Sequence, residues 1–197
     1  MTRAKQGEVS PTICQTLGKH DQPMVASALI AALRDQDVAL RRAAACILGY
    51  ASARAAIEPL IAAFEDPDPQ LRAWSVWSVG QSYQYLRSTV DAREIARPIV
   101  RVLEKRTEAQ DVRVKAAEAL GRTRDDGNCF ALVAILSDSR EPTALRVQAA
   151  HALQGTSYRP AIDAMQAIKS RASEPQELRE ACMTPKGIFE LHSRKLR

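Results

Sequence analysis

The chain has 197 residues, enough for one domain with a sizeable core, and at 46% hydrophobic and 26% charged it is too apolar for wholesale disorder. No apolar run approaches the ~18–20 residues of a membrane-spanning helix, so no membrane role is expected. The formal charge of +5 is spread along the chain, which favours an acidic partner and argues against a dedicated nucleic-acid binder, whose bases cluster. Aromatics are scarce at 5%, and the apolar content is mostly Ala, Leu, Ile and Val, a composition suited to close helix packing. Met1–Ser10 carries charge with no apolar stretch after it, and Cys14, Cys46, Cys129 and Cys182 lie far apart without metal-ligand spacing. A cytoplasmic address with reduced thiols is the expectation.

In chain order, a short helix is expected around Pro11–Leu17, ending at Gly18. The segment from Leu40 to Gly49 then recurs as Leu71 to Gly80, Val112 to Gly121 and Leu145 to Gln154, with a degenerate copy at Leu178 to Cys182 that Pro185 cuts short. Equivalent positions 18, 49, 80, 121, 154 and 187 are spaced by 31, 31, 41, 33 and 33 residues. A second amphipathic stretch precedes each copy, at Ala26–Leu33, Ile57–Phe64, Ala96–Leu103, Cys129–Leu136 and Ile162–Ile168. Polar turns such as Asp66-Pro67-Asp68-Pro69 stop one helix and cap the next. The glycine closing the second helix suits a left-handed C-cap. One hairpin cannot bury both apolar stripes, so neighbours must stack. The fold expected is an all-α, right-handed α-solenoid of about five helical hairpins over residues 9–187, between a tail at 1–8 and a basic tail at 188–197. The long 41-residue spacing places an inserted loop at 81–94.

Aligning the copies sorts columns by environment. Ala44, Ser75, Ala116 and Ala149 stay small; Leu48, Val79, Leu120 and Leu153 stay apolar. The columns Ala43/Trp74/Lys115/Gln148 and Cys46/Trp77/Glu118/His151 turn polar in later copies. Lys and Glu are rarely buried unpaired, so both columns are expected to face solvent. Trp74 and Trp77 then lie one turn apart on an exposed face, with Tyr50 beside them and Arg42 and Lys115 flanking. The tryptophans either anchor a partner or cover the 81–94 loop, which carries Tyr83 and Tyr85. Glu118 and His151 could form an acid–base pair or simply a solvated polar column; Cys46 is either a reactive thiol or a small residue at a buried edge. His20, His151 and His192 have no ligand partner at helical spacing, and no phosphate loop or nucleophile elbow is present. No catalytic residue, cofactor or metal is therefore assigned.

The Leu-Gly ends, the small-residue second helix and the Asp35/Arg41 and Asp66/Arg72 pairs resemble the HEAT-repeat family, above all its short phycobilisome-lyase-type HEAT-like repeats. That resemblance implies a ladder of Asp–Arg hydrogen bonds between units and a concave surface lined by the second helices. Thr107 and Arg140 depart from the pattern, so the ladder is either interrupted there or supplied by Asp111 and Asp138. The resemblance also implies function. The leading reading is a non-enzymatic scaffold gripping a protein partner on the concave face. The alternative is a subunit or chaperone of a lyase for linear tetrapyrroles, whose rings and propionates would suit an aromatic patch flanked by Arg. A nucleic-acid binder of the HEAT-like glycosylase type comes last, because no Asp stands in the exposed columns. The repeated His-Glu pairs of HEAT-type di-iron hydroxylases are absent.

Overall fold

The computed structural model describes residues 11–18, 23–51, 53–123 and 125–183. The two terminal tails, His20, Pro185, Gly187 and His192 lie outside the described residues. Eleven α-helices and no strand occur among the described residues. The chain divides after Thr123 into two compact units.

Unit 1 opens with the lone helix α1 (Pro11–Gly18). Three hairpins follow: α2 (Pro23–Ala32) with α3 (Val38–Leu48), α4 (Ile57–Ala62) with α5 (Pro69–Leu86), and α6 (Ala92–Glu104) with α7 (Gln110–Thr123). Each first helix packs on its own second helix, while α1, α3, α5 and α7 pack in succession as a row. Unit 2 holds two more hairpins, α8 (Asp126–Ser137) with α9 (Thr143–Ala152) and α10 (Arg159–Ser170) with α11 (Gln176–Ala181). There α8 packs on α10 and α9 on α11. Five hairpins and a leading helix, in phase with the repeated columns, make an all-helical solenoid-type fold of the armadillo and HEAT kind. Leu48, Leu60, Leu71, Ile95, Ile99, Leu103 and Leu120 fill the core of unit 1; Leu132, Leu136, Leu145, Leu153 and Leu178 fill that of unit 2.

The turn residues start helices as their chemistry requires. Asp37 caps α3 by accepting from Ala39 N at 2.8 Å, Asp68 caps α5 from Leu71 N at 2.7 Å, and Asp91 caps α6 from Arg93 N at 2.9 Å. The repeated glycine does not take the left-handed conformation expected of it. Gly49 has φ −63°, and Gly80 lies inside α5; Gly155 alone among the described glycines has a positive φ, 79°. What the glycine supplies is closeness. A Cβ on Gly49 would sit 2.6 Å from Ser78 Oγ, and one on Gly80 would sit 2.6 Å from Ala119 Cβ and 2.7 Å from its Cα. The gap between α3 and α5 is small enough for Ser78 Oγ to donate to Ala45 O at 2.7 Å and Ser82 Oγ to Leu48 O at 3.3 Å. Gly80→Ala should therefore destabilise unit 1 by about 1–3 kcal/mol, since the neighbouring backbone cannot yield as a flexible side chain could. Chemical denaturation would show it as a lower midpoint with an unchanged slope.

The expected loop at 81–94 is mostly helix. Residues 81–86 contain no breaker, and α5 continues through Leu86, held by the Ser82 bond to α3 and by burial of Leu86. The chain then turns at 87–90 and restarts at the Asp91 cap. Tyr83 and Tyr85 are thus helical; Tyr83 is half-buried and Tyr85 is 49% exposed.

The ladder is built on an altered register. Arg41 Nη1 donates to the backbone carbonyl of Asp35 at 2.9 Å, and its Nε lies 3.2 Å from the carboxylate of Asp66 in the next repeat. Arg72 likewise bonds Asp66 O at 2.8 Å and reaches Glu108 at 2.5 Å. In unit 2, Arg146 donates from Nε to Leu136 O at 3.0 Å and from both terminal nitrogens to Glu174 at 2.8 and 2.9 Å. At Thr107 the rung is neither interrupted nor supplied by Asp111. Glu108 takes Arg72, while Asp138 pairs locally with Arg140 at 2.9 Å. The acid has moved one residue nearer the helix start, and the extra methylene of Glu restores the reach.

Candidate functional site

The second-helix row of unit 1 gathers most of the residues singled out by sequence. Tyr50 follows α3; Trp74 and Trp77 project from α5 at i and i+3; Lys115, Glu118 and Arg122 project from α7 at i, i+3 and i+7. Trp77 is the hub. Its ring centroid lies 5.3 Å from that of Tyr50 and 5.6 Å from that of Trp74, the latter edge-on at 90°. The Arg122 guanidinium sits 5.5 Å from the Trp77 ring centroid. Trp77 Nε1 donates to Glu118 Oε1 at 3.1 Å, and that carboxylate also accepts from Arg122 and Lys115, each at 2.8 Å.

The exposed-column expectation fails at Trp77, which is only 7% exposed, and at Cys46, which is fully buried. Trp74 and Tyr50 are half-buried. The charge of Glu118 does not mark its column as exposed, because a carboxylate held by two cations and an indole tolerates half-burial. Burial pushes its acidity toward the neutral form; the bonds from Lys115 and Arg122 outweigh that and hold its carboxyl below the ordinary range. Burial also pushes the Cys46 thiol and the Tyr50 phenol up, so Cys46 does not present a ready thiolate.

Arg42 does not flank the aromatics as a free cation. It makes a two-bond pair with Asp68, Nε to Oδ2 at 2.7 Å and Nη2 to Oδ1 at 2.5 Å, tying α3 to the cap of α5. That bond pulls the Asp68 carboxyl down and pushes the Arg42 guanidinium up. Tyr85 is linked to Gln81 at 3.4 Å on the exposed side of α5. His151 belongs to unit 2, exposed, with Nδ1 3.4 Å from Gln154 Nε2. Arg122 is the member that the repeat alignment missed; its spacing of four from Glu118 was the available signal. Elsewhere in unit 1 the hairpin turns leave a groove of about 430 Å³ at the Arg41–Asp66 rung, lined also by Leu33, Pro59 and Ala62. Among the described residues no three His, Cys, Asp or Glu side chains gather as a metal site, and no helix is long and apolar enough to cross a membrane.

A family of HEAT repeats matches residues 26–92. No curated protein sequence matches the chain. Among solved structures, a designed armadillo repeat protein in complex with the peptide (KR)4 superposes with a TM-score of 0.59 at 14% identity, covering 91% of this chain and 90% of that one. Computationally designed armadillo repeat proteins for modular peptide recognition give 0.56 at 15% identity, covering 91% and 89%. A phycocyanin lyase complex from Nostoc gives 0.39 at 18% identity, covering 92% and 95%. The likeness to the two designed proteins concerns the backbone alone: the fold is that of armadillo and HEAT repeats.

Proposed function

We propose that this chain, which carries HEAT repeats over residues 26–92, is a non-enzymatic scaffold that binds a segment of a protein partner along the second-helix row of unit 1. The observation that carries the reading is the aromatic–cation cluster on that row. A half-buried Trp74 stands edge-on against a fixed Trp77, so its exposed part is already held in one orientation. A large, immobilised indole loses little entropy on binding and is a frequent anchor. Half-buried Tyr50 and exposed Tyr85 add aromatic surface on the same row. Lys115 and Arg122 against the single carboxylate of Glu118 leave the cluster with one net positive charge, which favours an acidic segment. Designed relatives of the same fold recognise peptides, which fits this use of the surface.

The test is selection of peptides from a displayed library against the full chain, followed by affinity measurement on variants. Trp74→Ala should weaken the selected peptides by roughly 30-fold, the ~2 kcal/mol typical of an interface anchor, while leaving the melting temperature nearly unchanged. Affinity that is indifferent to Trp74 and Lys115 would reject this face as the binding surface.

A further inference from the structure

The second helices of unit 1 approach closely because their facing columns are small, and at the α1–α3 contact the facing side chains are both cysteines. Cys14 and Cys46 are each fully buried, and with Ile47 they form a cluster on which Leu29, Tyr50 and Trp74 pack. Both sulfurs are fully buried in this one small cluster, each within hydrogen-bonding reach of the other. Cys129 and Cys182 belong to unit 2, where Cys129 Sγ lies 3.5 Å from Thr156 Oγ1. We propose that Cys14 and Cys46 are a disulfide-forming site, closed by an oxidant of the glutathione-disulfide class when α1 lifts from α3.

The helix α1 is built to lift. It has eight residues, it packs on α3, and its outer side chains Ile13 and Leu17 are 60% and 47% exposed. A helix so short, with so little apolar area buried, opens locally far below the cost of global unfolding. While it is closed, burial pushes both thiols up and keeps them protonated. Once α1 is away, Cys14 loses its proton to water and its thiolate attacks one sulfur of glutathione disulfide. That S–S bond breaks, a mixed disulfide forms on Cys14, and one glutathione thiolate leaves. Cys46, deprotonated in the open state, attacks the Cys14 sulfur and expels the second glutathione. The two protein thiols give up two electrons and two protons, and one glutathione disulfide becomes two glutathione thiols. The product staples α1 to the helix that precedes Tyr50, beneath the aromatic cluster.

The experiment exposes the full chain to glutathione disulfide and counts thiols after denaturation. Free thiols should fall from the four of the sequence to two, with a cross-linked peptide joining Cys14 to Cys46. The melting temperature should rise by about 5 °C relative to the reduced chain. Cys14→Ser should abolish the cross-link and the rise. The Cys129→Ser, Cys182→Ser double variant should keep both. Four remaining thiols, glutathione attached without a cross-link, or a cross-link that lowers the melting temperature would overturn the proposal, the last because the helix contact then fails disulfide geometry.

Discussion

Glu174→Ala is expected to destabilise unit 2 by about 3–5 kcal/mol, because it strands the Arg146 guanidinium in a site from which water is excluded. The side chains of Arg146 and Glu174 are 5% and 8% exposed, and two bonds of 2.8 and 2.9 Å join them in parallel. Arg146 keeps its bond to Leu136 O but loses its only carboxylate among the described residues. Replacing both partners with leucine removes the stranded charge and should cost far less than either single loss. Urea denaturation followed by far-ultraviolet circular dichroism separates these outcomes. The pH dependence follows the same pair. The Arg146 bond holds the Glu174 carboxyl below the ordinary carboxylate range. Its stabilisation is therefore complete above the unfolded value, roughly 4.3, and is lost as pH falls through the lower folded value. Wild-type stability should drop across that acid window, and Glu174→Ala should flatten the drop.

Trp77→Ala should cost unit 1 about 3–5 kcal/mol, the usual penalty for deleting a buried aromatic. The ring fills the space between Tyr50, Trp74 and the Arg122 guanidinium, and its loss also leaves Glu118 without the indole donor. Trp77→Phe keeps much of the packing and drops only the bond from Nε1, so it should cost a fraction of that. Trp74→Ala should cost on the order of 1 kcal/mol or less, because its ring is partly in solvent already. Thermal unfolding of the three variants gives the order directly. Equal losses at Trp74 and Trp77 would contradict the division of labour between anchor and support.

The repeat was legible in the sequence because periodic Leu-Arg and Leu-Gly pairs leave one way to bury two stripes per hairpin. Individual roles were harder to read. A glycine at a helix end has two uses, positive φ and close approach, and sequence shows neither neighbour; Gly49 faces Ser78, 29 residues away in the chain. The ladder acid was sought at a fixed offset before Arg, whereas Glu108 and Glu174 reach the same place from one residue later. Residues 81–86 looked like insertion because they exceed the period, yet a helix can absorb surplus length by growing. Trp77 misled for a physical reason. A charge in its column implied water, but Lys115 and Arg122 neutralise that charge in place.

Hydrogen exchange on the full chain, with and without a selected peptide, tests the binding face most directly. Slowed exchange is expected where α3 runs into Tyr50, around Trp74 and Trp77 in α5, and from Lys115 to Arg122 in α7. Protection confined to unit 2, or to the hairpin turns around Arg41 and Asp66, would contradict the assignment of the aromatic row as the binding surface.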